Sequence, residues 1–557
     1  MPSEVIMRCV IGIDFGTLSA RAILVDVAGG VILGESVFRY PHGVIDRQML
    51  DGEKLPPAWA LQHPEDYLAA LENTVKGVLH LTGVDPGVVI GISVDFTCCT
   101  LIPVDDRLTP LCLLQEFEHN KHAYPKLWKH HAAQKYADQL SRIARQREEA
   151  FLNRYCGYIS PEWAIPKMME LYDQATEVCR SAAWYMEAGD WITFLMTGNL
   201  IHSSSYATYK SAWSVEENYP SDDFFEALSP GFSKEVKKHT GLQVQMIGTK
   251  AGELTERYAD ILGLKPGTAV GVPSGDAYAA VLGESVVEEG ELIIVIGTSS
   301  CDAVFTKEKR RIYGIDCVLK DAIIPGLYAY EAGQFGTGDT LDWAVNYLAP
   351  YEYYNEAKEK GLSLHQLLSA KAEVLKPGES GLLALDWFNG NRSVLRNASL
   401  SGAVIGLNMT TKPEEIYRSL IEATAFGQQT IINAFVDAGI KINRIILSGG
   451  VARKNRFLDQ VYADVFGRDV VVSNNPQASA LGSAMYAAVA AGPERGGCRD
   501  VFEAAEKMRC KDRVMVTPNE NTHLTYRKLY EYYRTIHDYF GVEDDLMRKL
   551  RALKAGQ

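Results

Sequence analysis

The chain has 557 residues, 47% of them hydrophobic, and a formal net charge of −14, which predicts more than one domain with sizeable cores. The acidic balance argues against a sequence-independent nucleic-acid surface and favours small-molecule partners. Ten scattered cysteines, with Cys98 and Cys99 adjacent and no Cys-x-x-Cys pair, indicate neither a zinc centre nor a disulfide framework, and the N-terminus, carrying Glu4, has no long apolar core.

No apolar run of about 18 residues occurs anywhere, so the chain reads as an untagged cytoplasmic protein with no membrane span. A buried strand is predicted over 10–13. It runs into Asp14, Gly16, Thr17, Ser19 and Arg21. Asp14 offers hard oxygen to Mg²⁺, Gly16 allows close backbone approach, Thr17 and Ser19 offer hydroxyl donors to phosphate oxygens, and Arg21 adds a cation. The same stretch also reads as an ordinary hairpin, with segments 20–27 and 31–38 flanking Gly29-Gly30.

A helix is expected over 64–81 and a strand over 88–94. The polar stretch 121–149 reads as helical with a solvated charged face. His119, His122, His130 and His131 have no metal-ligand spacing and read as surface residues.

Turn residues at Leu264-Lys265-Pro266-Gly267 precede a strand over 268–272, placing a domain boundary near 262. Asp276, in Pro273-Ser274-Gly275-Asp276-Ala277, then stands at a strand end, as a base for an acceptor hydroxyl or as a helix N-cap. Next, the apolar segment 292–296 runs into Gly297, Thr298 and Ser299 and repeats the pattern seen at Gly16, with no carboxylate at the position of Asp14. Helices are expected over 414–438, 453–466 and 476–491, with a charged helical tail from 522. Between the first two of these, a short strand ends in Gly449-Gly450, where a flat ring lies against the backbone or a plain strand-to-helix turn is made; Asn455 offers an amide to a base or ribose.

The two phosphate-type loops followed by the Gly449-Gly450 turn resemble the motifs of the actin, hexokinase and Hsp70 ATPase superfamily; no Walker-type loop is present. With Asp276 added, the pattern resembles the FGGY carbohydrate kinase family. Segments 158–167, ending in Lys167, and 401–407, followed by a helix, loosely resemble its two signatures. The resemblance implies an α/β fold of two ribonuclease H-like domains, 1–262 and 263–557, with a nucleotide cleft between them. It also implies that ATP and Mg²⁺ are used and that Asp276 is the catalytic base.

Segment 93–100 departs from the Arg-Glu pair of glycerol-type members and the Gln-Met-His run of xylulose-type members. It resembles, with 113–117 and 123–130, the branch acting on L-ribulose at the C5 hydroxyl; D-ribulose or xylulose are alternatives. Resemblance assigns Lys210 and Glu331 to sugar hydroxyls, with a surface lysine as the plain reading of Lys210. Asp95 is read as a sugar contact or a turn cap, and Trp128 as a sugar wall or a packing residue. In this mechanism Asp14 holds the metal shell, and the halves close over the sugar to exclude water. A rival reading, a nucleotide-gated binding protein of the Hsp70 or actin sort, lacks any separate peptide-binding segment after Asn455. Homo-oligomerisation is left open.

Overall fold

The structure, a computed structural model, describes residues 7–554; the N-terminal segment with Glu4 lies outside the described residues. The chain forms two compact units. The first holds residues up to 287 together with 319–329 and 477–510; the second holds 288–318, 330–476 and the segment from 511 onward.

The first unit is built on a mixed sheet of β1 (Cys9–Phe15), β2 (Ser19–Asp26), β3 (Ile32–Arg39), β4 (Val89–Phe96), β5 (Lys250–Glu253), β6 (Ala269–Gly271) and β7 (Ser274–Gly275). Their order is β3-β2-β1-β4-β6-β5, with β7 also paired to β4. β1 and β2 are antiparallel, whereas β4 runs parallel to β1, β6 and β7. β1 is almost wholly buried, as its apolar run demands. The glycine-paired hairpin is present as β2 and β3, which pair antiparallel across the Gly29-Gly30 loop, and the Gly16 turn is a separate one that joins β1 to β2. The helix Pro64–Thr82 begins with Pro64 after a His63 cap and stops at Gly83 in the left-handed conformation.

The helix Ala478–Ala491 lies directly on this sheet. A Cβ on Gly12 would sit 1.9 Å from the Ala480 carbonyl oxygen, and one on Gly91 2.4 Å from that of Ala487. Two expectations are corrected here. The boundary near 262 falls inside the first unit, because β6 and β7 pair with β4. The helix expected over 476–491 returns to the first unit, since its small alanine-rich face fits against glycines of the sheet.

The second sheet is made of β8 (Glu291–Ile296), β9 (Ser300–Thr306), β10 (Cys317–Lys320), β11 (Tyr328–Ala332), β12 (Arg444–Ser448), β13 (Val470–Ser473) and β14 (Arg513–Val516), in the order β10-β11-β9-β8-β12-β13-β14; all of it belongs to the second unit except residues 319–320 of β10 and 328–329 of β11. β8 is antiparallel to β9 and parallel to β12, which is parallel to β13. That is the relation of β1 to β2, β4 and β6, so the repeated sequence pattern reflects a repeated topology. The helix Pro413–Asp437 is buried along most of its length.

Two helical expectations change. The stretch 121–149 is helical only over Gln134–Gln146, apart from a single turn at Lys121–Ala123; Pro125 follows that turn and cannot continue it. Within it Lys126 and His130 are fully buried and His122 nearly so, so those histidines are internal, while His119 and His131 are exposed. The helix expected over 453–466 is two, Gly450–Lys454 and Arg456–Phe466, broken at Asn455. Among the described residues no helix is long and apolar enough to cross a membrane.

Candidate active site

In the first unit three parallel strands end side by side, and each delivers a carboxylate at or just beyond its C-terminal end. Asp14 on β1 is in register with Asp95 on β4, and Ser274 of β7 is in register with Asp95, so Asp276 follows one step beyond. The carboxyl ends of parallel strands are where open α/β sheets bind ligands.

Asp276 is the first residue of the helix Asp276–Gly283, and its Oδ1 accepts from the Ala277 N–H at 2.9 Å. The N-cap position falls to Gly275 and no side chain caps this helix, which corrects the capping reading of Asp276. Burial, and then the negative charge of Asp14, push its carboxyl up to about 7, against the pull of Lys210. Lys210 closes the helix Ser204–Lys210, and its charge is felt by Asp276, Cys98 and Glu162. It is half-buried among these groups, not fully exposed as the plain surface reading expects.

Asp14 is pushed up by burial and pulled back by a hydrogen bond with Asp95 and by Arg21, its register partner on β2. Asp95 is fully buried; its Oδ2 accepts from the Ser483 hydroxyl at 2.7 Å, and burial followed by the charge of Asp14 drives it well above the usual carboxylate range. It supports Asp14 from behind and has no open face for a sugar, which corrects its assignment as a sugar contact.

Gly16 closes a tight turn, its N–H donating to the Ser19 carbonyl at 3.0 Å. The Gln62 amide fixes the Thr17 carbonyl at 2.8 Å. Trp128, 39% exposed, donates its indole N–H to the Thr17 hydroxyl at 3.1 Å, so it is not a core residue and it touches the loop that the sequence reading assigned to phosphate.

In the second unit the Gly297 turn has the same form, with its N–H donating to the Ser299 carbonyl at 2.9 Å. The start of the helix Thr337–Leu348 presses on it: Gly338 N–H donates to the Thr298 carbonyl at 2.9 Å, and a Cβ on Gly338 would lie 2.4 Å from the Gly297 carbonyl oxygen. The Ser299 hydroxyl accepts from Gly336 N–H and so braces the turn.

Gly297, Thr298, Gly450 and Asn455 line a cavity of about 890 Å³, within the range of small-molecule sites. Gly449 does not line it but makes it: with φ 96° and a Cβ position 2.4 Å from the Ile296 carbonyl oxygen, only glycine fits between β12 and the helix Gly450–Lys454. Asn455 caps the helix Arg456–Phe466, its Oδ1 accepting from Leu458 N–H at 3.2 Å, which leaves its amide N–H₂ for the cavity.

Sequence reasoning missed the rest of this wall. His365 stands between Asp342 Oδ1, at 2.7 Å, and the Tyr417 hydroxyl, at 3.1 Å, and all three line the cavity with Ser369 and Phe457. They come from three separate helices, and no local motif marks them. Also missed was Arg392, whose guanidinium donates to Glu331 Oε1 at 2.8 Å and to the Ser300 carbonyl at 3.1 Å and pairs with Asp316 at 2.7 Å. Glu331, on β11, is thereby held in one orientation.

Two α/β units of repeated topology, with strand-end carboxylates on one and a glycine-hydroxyl turn opening onto a nucleotide-sized cavity on the other, define a kinase of the actin and hexokinase type. Residues 9–283 match the N-terminal domain of the FGGY family of carbohydrate kinases and residues 292–491 its C-terminal domain. The chain belongs to the FGGY family and is an ATP-dependent sugar kinase.

It is 46% identical over 551 residues to a ribulokinase of Geobacillus thermodenitrificans, covering 98% of this chain and 97% of the relative, and 39% identical to a ribulokinase of Mycolicibacterium smegmatis at the same coverage. In fold it is similar to the xylulose kinase of Rhodospirillum rubrum, with a TM-score of 0.76 at 22% identity over 95% of this chain and 98% of that one. It is likewise similar to the glycerol kinase of Plasmodium falciparum, with a TM-score of 0.73 at 15% identity over 96% and 98%.

Proposed function

We propose that the chain transfers the γ-phosphoryl group of MgATP to the C5 hydroxyl of L-ribulose. The observation that carries the site assignment is the row of strand-end carboxylates in the first unit, with Asp276 raised to about 7 beside Lys210. A carboxyl in that range is about half ionised at neutral pH and basic enough to take a proton. The pentulose reading is supported by ribulokinase relatives at 44–46% identity over nearly the whole chain.

Asp276 orients the C5 hydroxyl and accepts its proton late, as a loose phosphoryl-transfer transition state allows. The bond from the γ-phosphorus to the β-γ bridging oxygen breaks, a bond to the sugar oxygen forms, and ADP leaves. Lys210 and Glu331 receive sugar hydroxyls, Glu331 with its carboxylate already oriented by Arg392. Trp128 offers an aromatic edge beside Thr17. Thr17, Ser19 and Arg21 receive phosphate oxygens on the first unit. Gly297 and Thr298 do so on the second, where Gly450, Asn455 and the His365 wall take the nucleoside.

Mg²⁺ suits Asp14. The buried carboxylate is relieved by a hard cation, and one carboxylate plus phosphates and water is the usual magnesium shell. Bound there, the ion would offset phosphate charge.

The test is sugar-stimulated ADP release, assayed with D- and L-ribulose, D- and L-xylulose and the corresponding alditols. L-Ribulose is expected to give the highest kcat/KM. A higher value for another pentulose would replace the acceptor, and ATP turnover indifferent to any sugar would remove the reading.

A further inference from the structure

Lys167 lies on the helix Ala164–Gln174 and is fully buried; among the described residues no carboxylate is within ion-pair distance of it, although the charges of Glu187 and Glu162 act on it from further off. Its Nζ donates instead to three backbone carbonyls, those of Cys99 at 2.5 Å, Leu127 at 2.9 Å and Lys126 at 3.2 Å. An ammonium has three protons, and here each has its own acceptor. Taking a cation out of water costs several kcal/mol, which these three carbonyls and the more distant charges of Glu187 and Glu162 offset. A buried lysine whose protons all go to backbone carbonyls has a reason to be there beyond stability.

The reason lies in what the three carbonyls belong to. Cys99 sits in the turn that follows β4, with φ 66°, a conformation a non-glycine residue holds only when its surroundings enforce it. That turn starts at the strand end bearing Asp95. Its Cys98 side chain fills the space over Gly275, where a Cβ would lie 2.2 Å from the Cys98 sulfur, one residue before Asp276. Lys126 and Leu127 immediately precede Trp128, whose indole N–H donates to the Thr17 hydroxyl. One ammonium thus ties the turn beside the base to the segment that reaches the first-unit phosphate loop. A Thr17 oxygen that accepts from Trp128 has its own proton directed elsewhere, toward whatever occupies the loop.

We propose that Lys167 is a positioning residue for phosphoryl transfer, locking the Cys99 turn and the Lys126–Trp128 segment together so that Trp128 holds the Thr17 hydroxyl in its donating orientation. This rests on the reading of Thr17 as a phosphate contact. It predicts that Lys167 acts on turnover through Trp128, which a merely structural lysine would not do.

The test is a double-mutant cycle on kcat and KM, measured well below the melting temperature of each variant, with K167M, W128F and the pair. K167M is expected to lower kcat by up to about fivefold, because an effect carried through the indole hydrogen bond is bounded by the worth of that bond. W128F alone is expected to lower it by about fivefold, the range of one hydrogen bond. The pair is expected to be no slower than W128F, because the clamp acts through the indole bond that W128F has already removed. Wild-type kcat and KM in K167M, or effects that multiply in the pair, would overturn the proposal. If K167M does not fold, K167Q, which keeps two of the donors, takes its place in the same cycle and is read in the same way. T17A separates the two readings. A slow T17A with an unimpaired K167M overturns only the positioning role of Lys167, whereas a T17A of wild-type turnover overturns the phosphate role of Thr17 and this inference with it.

Discussion

Asp14 and Asp95 stand directly opposite each other on adjacent parallel strands and share a hydrogen bond, one partly open at the strand end and the other fully buried behind it. Two carboxylates at that distance do not both ionise. The buried one, Asp95, is driven well up by desolvation and then by the charge of its neighbour, so it carries the proton and donates to Asp14. The neighbours should therefore respond oppositely to neutralisation. Asp14→Asn is expected to raise the magnesium concentration for half-maximal rate by about tenfold or more, the effect of losing a metal ligand's partner shell or greater. Asp95→Asn, whose amide still donates to Asp14, is expected to stay within a few-fold of wild type. A magnesium titration of the two variants checks both.

Asp276→Asn removes the proton acceptor and is expected to lower kcat by about 10²-fold or more while nucleotide binding survives. The pH dependence follows from the direction of the shift. A general base works only when ionised, and burial with the charge of Asp14 holds Asp276 at about 7, so kcat/KM is expected to fall as pH drops through that value. Removing the Asp14 charge lowers the Asp276 pKa and moves this acid limb to lower pH. Removing the Lys210 charge, as in Lys210→Met, moves it to higher pH. Profiles of kcat/KM for the wild type and the two variants test the assignment, and a limb that stays fixed in both contradicts it.

The parts of the site legible in the sequence are those in which a strand runs straight into its functional residue. Asp14, Gly16 and Thr17, the Gly297-Thr298 turn, and Gly449-Gly450 each sit within one or two residues of a strand end, so local pattern alone locates them. What the sequence hid depends on long-range contact. The burial of Asp95 follows from Ser483, 388 positions away, and the orientation of Glu331 from Arg392, 61 positions away. The fold boundary was misplaced for the same reason: β6 and β7 follow turn residues that look like a linker, but their partner β4 lies far upstream. A polar run such as 121–149 looks solvated by composition, yet Lys126 and His130 are buried and both pair with Glu170 inside the unit, which no periodicity reveals.

Asn455 serves two purposes that substitution can separate. It caps the helix Arg456–Phe466 through its Oδ1 and lines the nucleotide cavity. Asn455→Ala is expected to lose about 1 kcal/mol of stability, the usual effect of removing such a cap, and to raise the KM for ATP. Asn455→Asp keeps a capping oxygen, so its stability is expected to match wild type, but it replaces the amide donor with a negative charge beside phosphates and should raise the KM for ATP further. Thermal denaturation alongside ATP kinetics checks this. Equal ATP KM values in wild type and Asn455→Asp would confine Asn455 to capping.

Glu170 gathers two buried partners, the Lys126 ammonium at 3.3 Å and the His130 imidazole at 2.9 Å, while Lys126 also lies 4.3 Å from the centre of the Trp59 ring. Although burial opposes its ionisation, Lys126 and then His130 hold its carboxyl down at about 2. Its folded pKa lies below its unfolded value of about 4.3, so the stability it contributes is present above that value and is lost as pH falls toward 2. His130 acts in the same direction. Burial and the Lys126 charge depress it to about 3, so the unfolded chain takes up a proton there from about pH 6.5 downward while the folded one does not. The first unit is therefore expected to weaken steadily on acidification below neutrality. Glu170→Gln, which strands the Lys126 charge in the interior, is expected to lower stability by about 3–5 kcal/mol at pH 7. Replacing Lys126 and Glu170 together with methionine should recover most of that loss. Denaturant titrations of the three proteins at pH 7 and pH 5 decide it, since Glu170→Gln with the stability of wild type would mean that the buried ammonium is not held by this carboxylate.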